Sequence, residues 1–297
     1  MIRADNAIIL AAGYSSRFVP LCFDLPKGLL PVKGETLIER QIRQLREIGI
    51  KEIHIVTGAY AEQFDFLKNK HDVNLIYNKD YAAKNNFASI YAARAVLKNS
   101  IITSSDLFFP NNIFQNEAEH SYYLSVFSEG KTAQRSLVLD ENGKIIKTFY
   151  GGNNCWITYG GQAFFTKELS EKLISYIEPV YDNPAFANKY WVDFQDEHLE
   201  ELPMYIKRIE KSGIVEFNSL EALQKFDKDF TSVNISETMK YICEKLNARE
   251  RDLNSFEPIK EGNSAIGCRF VYKNKCYEYI NKTQNIIAIP HAEGNNV

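Results

Sequence analysis

The sequence predicts an α/β fold built on a doubly wound, mostly parallel, Rossmann-like sheet, with a small β-rich subdomain and a short C-terminal α+β appendage. Three observations predict it: short unbroken apolar runs recur along the first hundred residues, segments of helical periodicity separate them, and Gly or Asp closes several of them. Strands buried on both faces read as continuous apolar runs. Strand and helix alternating at this spacing build βαβ units.

The first strand is Ala7-Ile8-Ile9-Leu10-Ala11-Ala12, ended by Gly13. Thr36-Leu37-Ile38-Glu39 then has capping-box spacing, Ile38, Ile42, Leu45 and Ile48 recur at helical intervals, and Gly49 supplies a stop. Residues 52–58 form the next strand, followed by a short helix near 61–67, a strand at 73–77, a helix near 88–97 and a strand at 100–105 that runs into Asp106. Ligands of such sheets gather beyond the carboxyl ends of the strands, so Gly13, Gly58 and Asp106 are expected to converge on one cleft.

From residue 121 to 165 the pattern changes to short strands with turn signals, Asp140-Glu141-Asn142-Gly143 and Gly151-Gly152 among them. A helix near 167–176, the aromatic segment Tyr190-Trp191, a strand at 204–209 and a strand–helix unit at 214–226 complete a first domain, residues 1–232. The appendage, residues 233–297, holds a helix at 236–246, a charged link at 248–252 and two β-like pieces at 268–272 and 276–280.

Length and charge bound the function. A chain of 297 residues with 45% hydrophobic content can bury a large core. With 35 Lys+Arg against 38 Asp+Glu the net charge is −3, which argues against a nucleic-acid or anionic-membrane surface spread over the domain but allows a local anion site. Every apolar stretch is too short for a signal-peptide core or a membrane span, so a soluble cytoplasmic protein is expected. Five cysteines, odd in number and without a C-x-x-C pair, read as reduced structural thiols. His54, inside an apolar strand, reads as a structural histidine rather than a catalyst.

The chemistry is concentrated near the N-terminus. Leu10-Ala11-Ala12-Gly13-Tyr14-Ser15-Ser16-Arg17 joins a buried strand to a Gly/Ser turn with Arg at its end. Small residues let backbone N–H groups approach phosphate oxygens, and a guanidinium can neutralise them through a bidentate fork. Ten residues on, Pro26-Lys27-Gly28-Leu29-Leu30-Pro31-Val32 presents a single Lys from a Pro-fixed turn.

These paired motifs resemble the signature of the nucleotidyltransferase superfamily that activates sugar and alcohol phosphates with an NTP. Arg17-Phe18-Val19-Pro20-Leu21, Pro26-Lys27-Gly28-Leu29, Asn85-Asn86-Phe87-Ala88-Ser89-Ile90-Tyr91 and Ser105-Asp106-Leu107 are most similar to the bacterial CTP:phosphocholine cytidylyltransferases, over about residues 6–232. The resemblance implies that an oxygen of the acceptor phosphate attacks the α-phosphorus of CTP and pyrophosphate leaves, for surface polysaccharide or teichoic acid decoration. It further implies catalytic roles for Arg17, Lys27 and Asp106, with Mg²⁺ held by Asp106 and by Asn218, where relatives commonly carry Asp; Asp193 is the alternative second ligand.

The same resemblance places the nucleotide against Leu10 to Ser16, Gly58, Tyr60, Asn86 and Ser89, and the acceptor against Tyr150, Trp156, Tyr159, Tyr190, Trp191 and Asp193, because a trimethylammonium group favours aromatic faces and a carboxylate. Alternatives are a nucleotidyltransferase for sugar 1-phosphates, phosphoethanolamine or an aminophosphonate, and a non-catalytic nucleotide-binding subunit. The retained Arg17 and Lys27 speak against the last. Residues 261–264 and 270–277 faintly resemble the opening hairpin of choline-kinase-like phosphotransferases, but no H-x-D loop follows, so the piece is assigned no activity; packing, swapping and a homodimer are its expected uses.

Overall fold

The strand Asn6–Ala11 is buried at every residue, as a run of apolar side chains must be when both sheet faces are covered. It lies inside a seven-stranded sheet of spatial order Tyr205–Arg208, Tyr122–Leu139, Ile145–Phe165, Ser100–Ser104, Asn6–Ala11, Glu52–Thr57, Asn74–Tyr77. The last four strands of that order are mutually parallel. The long pair Tyr122–Leu139 and Ile145–Phe165 is antiparallel, and Ile145–Phe165 also runs antiparallel to Ser100–Ser104, so the sheet is mixed. The structure, a computed structural model, describes residues 1–290, with the backbone alone described at 159–161. It divides into two compact units, one of Met1–Gly13 with Leu37–Glu216 and one of Tyr14–Thr36 with Phe217 onward.

In the first unit the helices Phe87–Ala92, Lys167–Ile177 and Trp191–Asp196 cover one core, in which Ile8, Leu10 and Ile102 of the sheet meet Phe87, Ile90, Leu173 and Phe194. Each such side chain contributes about 1.5–3 kcal/mol on burial. The helix Leu37–Glu47 buries Leu37, Ile38, Ile42 and Leu45, the stripe its periodicity predicts, together with Gln41 and Gln44.

Two expectations are corrected here. The segment 121–165 runs as two long extended stretches instead of separate short strands, but its pairing is interrupted: residues 135–137 pair both with 148–150 and with 156–158. Gly151 and Gly152 lie inside the second, at φ +85° and +149°, and a Cβ on Gly152 would stand 2.6 Å from Ser136 Oγ. The glycine pair lies between 148–150 and 156–158, two stretches that both pair with 135–137, and the missing side chain lets Gly152 pass close to Ser136. The turn is Asp140 to Gly143, where Asp140 Oδ1 accepts from Asn142 N and Lys144 N at 2.9 Å. The helix expected at 88–97 spans only Phe87–Ala92.

The second unit holds the helices Leu220–Phe226 and Glu237–Leu246 and a four-stranded antiparallel meander, Leu253–Glu261, Ser264–Tyr272, Lys275–Ile280 and Asn285–Ile289. Its outer two strands escape sequence reading: the first carries Pro258 and no clean alternation, which edge strands tolerate. The charged link is ordered by Glu250, whose carboxylate accepts from Ser232 N and Oγ and from Val233 N. Residues 291–297 of the expected appendage lie outside the described residues. Among the described residues no helix is long and apolar enough to cross a membrane.

Candidate active site

Parallel register sets the carboxyl ends of three strands of the first unit side by side: Leu10 pairs with Val56 and Ser104, and Ala11 with Thr57. The chain ends are then tied across, Ser105 N donating to Leu10 O at 3.0 Å and Ala59 N to Ala12 O at 3.1 Å. Gly13, Gly58 and Asp106 therefore follow adjacent strand ends, as the topology requires. A Cβ on Gly58 would stand 2.6 Å from Tyr81 Cβ and 2.7 Å from Ala12 O, so only glycine permits that approach. Gly13 is exposed and a Cβ there would meet nothing within 4 Å, so its small size answers no packing demand of the fold. Leu10, Ala11 and Ala12 are buried, and Tyr60 takes a left-handed conformation at φ 57°. His54 is buried within its strand, its Nε2 2.8 Å from Glu52 Oε1, as a structural histidine would be.

Asp106 accepts from Ser104 Oγ at 2.6 Å. Its turn is fastened by Gln41, fully buried, whose Nε2 donates to Ser104 O at 2.9 Å and Leu107 O at 2.8 Å while Oε1 accepts from Thr103 Oγ1. Sequence reading missed Gln41. The signal was a glutamine inside the apolar stripe of the helix, where a polar group is retained only if it is bonded.

Asn86 does not cap the helix it precedes. Its Oδ1 accepts from Trp191 N at 3.0 Å, which leaves the Nδ2 donor for another partner. Its neighbour Asn85 donates from Nδ2 to Asn188 O at 3.3 Å and from its backbone N to Ala187 O at 2.7 Å. Ser89 is buried and its hydroxyl accepts from Asn78 Nδ2 at 3.2 Å.

Of the residues expected to meet the acceptor, Tyr150 is 64% exposed and its hydroxyl donates to Asp193 Oδ1 at 3.1 Å. Burial and the facing Asp193 carboxylate push the Tyr150 phenol up, so it stays protonated and donating at neutral pH. Tyr190 is also exposed, at the start of the helix that carries Asp193. The structure thus joins Tyr150 and Asp193, and Tyr190 precedes the same short helix. Trp191 is corrected to a core residue with no exposed face, packed edge-on against Phe165 at 5.3 Å. The Trp156 ring faces Phe127 and the Arg208 guanidinium, 5.0 Å from its centroid. The Tyr159 side chain lies outside the described residues.

Sequence reading also missed what holds that helix. Arg135, 5% exposed, pairs with Asp196 and donates from Nη2 to Val192 O at 2.8 Å, while Thr148 Oγ1 donates to the same Asp196 carboxylate. Removing one partner of a pair this buried typically costs about 3–5 kcal/mol.

In the second unit the two signature motifs are joined. Ser15, left-handed at φ 57°, accepts through Oγ from Lys27 N at 3.0 Å. The Lys27 side chain is buried with Nζ 4.9 Å from the Phe18 ring centroid, whereas Arg17 is exposed in the 3-10 turn Ser16–Phe18. Tyr14 and Ser16 are half-buried. Asn218 is exposed, just ahead of Ser219, which caps the helix Leu220–Phe226 by accepting from Ala222 N.

Among the described residues no group of three or more His, Cys, Asp or Glu could cage a metal ion. A single strand-end carboxylate fits a hard divalent cation that takes one or two protein oxygens and completes its shell with phosphates and water.

Comparison with known proteins identifies the family. A family model described as a MobA-like NTP transferase domain matches residues 7–126. The choline-phosphate cytidylyltransferase of Streptococcus pneumoniae is 34% identical over 229 residues, 77% of this chain and 100% of that one. The 2-aminoethylphosphonate cytidylyltransferase of Lancefieldella rimae is 33% identical, over 76% of this chain and 93% of that one. A solved structure of the CTP:phosphocholine cytidylyltransferase LicC from Streptococcus pneumoniae matches with a TM-score of 0.72 at 35% identity, covering 76% of this chain and 99% of that one.

Proposed function

The chain belongs to the bacterial CTP:phosphocholine cytidylyltransferase family, and from that premise we propose that it transfers CMP from CTP to phosphocholine, giving CDP-choline and pyrophosphate. An oxygen of the acceptor phosphate forms the new bond to the α-phosphorus. The bond from that phosphorus to the bridging oxygen breaks, and pyrophosphate leaves with the electron pair. Little covalent chemistry falls to the protein in such a displacement, so positioning and charge neutralisation carry the rate.

In this reading Arg17 and Lys27 neutralise the triphosphate, and backbone N–H groups of the Gly13 to Ser16 turn receive phosphate oxygens. Asp106, oriented by Ser104 and Gln41, is the carboxylate assigned to a divalent cation, which we take to be Mg²⁺; Asn218 offers an amide oxygen as the second ligand. The cation, when bound, supplies charge neutralisation on the phosphate oxygens. The free amide donor of Asn86 suits a pyrimidine acceptor edge.

The observation that supports a cationic acceptor is the contact of exposed Tyr150 with Asp193, on a helix that exposed Tyr190 precedes. A carboxylate next to aromatic faces attracts a quaternary ammonium through its charge and the ring quadrupoles. The test is pyrophosphate release with CTP, Mg²⁺ and each of phosphocholine, phosphoethanolamine, 2-aminoethylphosphonate and glucose 1-phosphate. Phosphocholine is expected to give the highest kcat/KM. Preference for glucose 1-phosphate would refute the cationic reading, and preference for 2-aminoethylphosphonate would move the acceptor to a primary ammonium.

A further inference from the structure

Residues 14–36 carry Arg17 and Lys27 but little regular structure: three 3-10 turns and a two-residue strand pair. Such a segment cannot fix a buried lysine through its own backbone hydrogen bonds, so its partners within the second unit decide its shape. Those partners come from far along the chain. One Asp24 carboxylate oxygen accepts from Ser236 Oγ at 2.5 Å and from Thr238 N at 3.0 Å, and the other accepts from Thr238 Oγ1 at 3.1 Å.

Ser236 Oγ in turn accepts from Met239 N at 3.0 Å, so Ser236 and Asp24 together satisfy two N–H groups in the first turn of the helix Glu237–Leu246. The carboxylate also faces the positive end of that helix. On the same 3-10 turn, the Phe23 ring lies 5.9 Å from that of Tyr279, and Cys22 is buried. Beside Arg17, Ser16 Oγ donates to Asn263 O at 2.5 Å. At the far end of the segment, Asp227 Oδ2 accepts from Lys33 N at 2.6 Å while Lys33 Nζ pairs with Oδ1.

We propose that Asp24 is a positioning residue for nucleotide binding: through Ser236 and Thr238 it fastens the loop that carries Arg17 and Lys27 to the C-terminal helix and meander, and so gives the appendage a part in the reaction. This rests on the reading of Arg17 and Lys27 as triphosphate ligands.

The test uses the full chain with Asp24→Asn, Thr238→Val and the pair combined. It reads kcat, KM for CTP, KM for phosphocholine, and amide hydrogen exchange of residues 14–36. Asp24→Asn is expected to raise KM for CTP roughly tenfold, as for loss of a hydrogen bond to a charged group, with KM for phosphocholine unchanged and exchange across 14–36 faster. Thr238→Val shifts the same quantities less. The combined variant is no worse than Asp24→Asn, because both substitutions break one interaction.

An unchanged KM for CTP with unchanged exchange would overturn the proposal. So would an equal rise in both KM values, which is what general destabilisation produces. Thr238→Val keeps the test open if the Asp24 variant does not fold. Wild-type pyrophosphate release is scored separately, so failure of the CTP reading shows in the wild type and failure of the clasp shows only in the variants.

Discussion

Ser15 combines a backbone penalty with a bond that offsets it. A non-glycine residue in the left-handed region costs roughly 1–2 kcal/mol. The hydrogen bond that Ser15 Oγ accepts from Lys27 N at 3.0 Å returns about 0.5–1.5 kcal/mol. The two nearly cancel, so substitutions that remove one or both contributions separate them. Ser15→Ala loses the bond and keeps the left-handed cost, for a net loss of about 1 kcal/mol. Ser15→Gly loses the bond but relieves the backbone, partly offset by the entropy of an unfolded glycine, and is expected to lie about 0.5–1 kcal/mol above the alanine variant.

Urea unfolding reads the difference. For a chain of this size, m is about 3 kcal/mol per molar or more, so the alanine midpoint should fall by about 0.3 M at unchanged slope while glycine stays near wild type. Both variants release the Lys27 backbone, so KM for CTP should rise about fivefold in each, the equivalent of a 1 kcal/mol bond. Equal destabilisation of both variants would refute the left-handed argument. An unchanged KM for CTP in both would refute the role of the Ser15 contact in placing Lys27.

Gln41→Leu leaves Ser104 O and Leu107 O without their buried donor and should cost about 1–3 kcal/mol by thermal unfolding, with kcat falling more than KM for the acceptor rises, because the Asp106 turn loosens. Asn86→Asp keeps the oxygen that accepts from Trp191 N but removes the amide donor; Tm should hold while KM for CTP rises, and a fall in Tm with unchanged KM would mark Asn86 as structural only. Asp227 is pushed up by burial but, more strongly in sum, held down by the Lys33 N–H, the Lys33 ammonium and the Asp229 N–H, so its carboxyl lies below the usual range. A depressed carboxylate contributes stability that is complete above the unfolded value of about 3.9 and is lost as pH falls through the folded value, so wild-type stability should drop faster than that of Asp227→Asn on acidification below about pH 4. Burial pushes the Cys22 thiol up to about 12, so it should resist alkylation at pH 8 in the folded chain and react only on unfolding.

What the sequence made legible follows period and strand ends. The runs at Ala7, Ile53 and Ile101 became adjacent parallel strands because an apolar run buried on both faces has few other places to go, and the convergence of Gly13, Gly58 and Asp106 followed from that topology. What escaped was decided by partners distant in sequence. Trp191 has the composition of a ligand-binding aromatic and is a core residue, because its neighbours are Tyr123 and Phe165. Gln41, Arg135 and Asp196 carry no local motif. Each is explained only by the buried groups it satisfies, Ser104 O and Leu107 O for the first and each other for the pair.

The Asn85-Asn86-x-x-Ser89 segment, proposed to meet the nucleotide, is also tied to the helix that carries Asp193. Read along the chain it suggests base contacts, yet Asn85 donates from its backbone N and Nδ2 to Ala187 O and Asn188 O, and Asn86 Oδ1 accepts from Trp191 N, at the entrance to the helix that carries Asp193. The residues assigned to the pyrimidine therefore also set where the acceptor carboxylate stands, while Arg135 and Thr148 hold the other end of that helix through Asp196. A helix of six residues fixed at both ends has little freedom to move alone. On the proposed assignment, a substitution that removes the Asn86 oxygen, such as Asn86→Ala, is expected to change both KM values together, whereas substitutions at Tyr150, whose hydroxyl donates to Asp193, change the acceptor's alone.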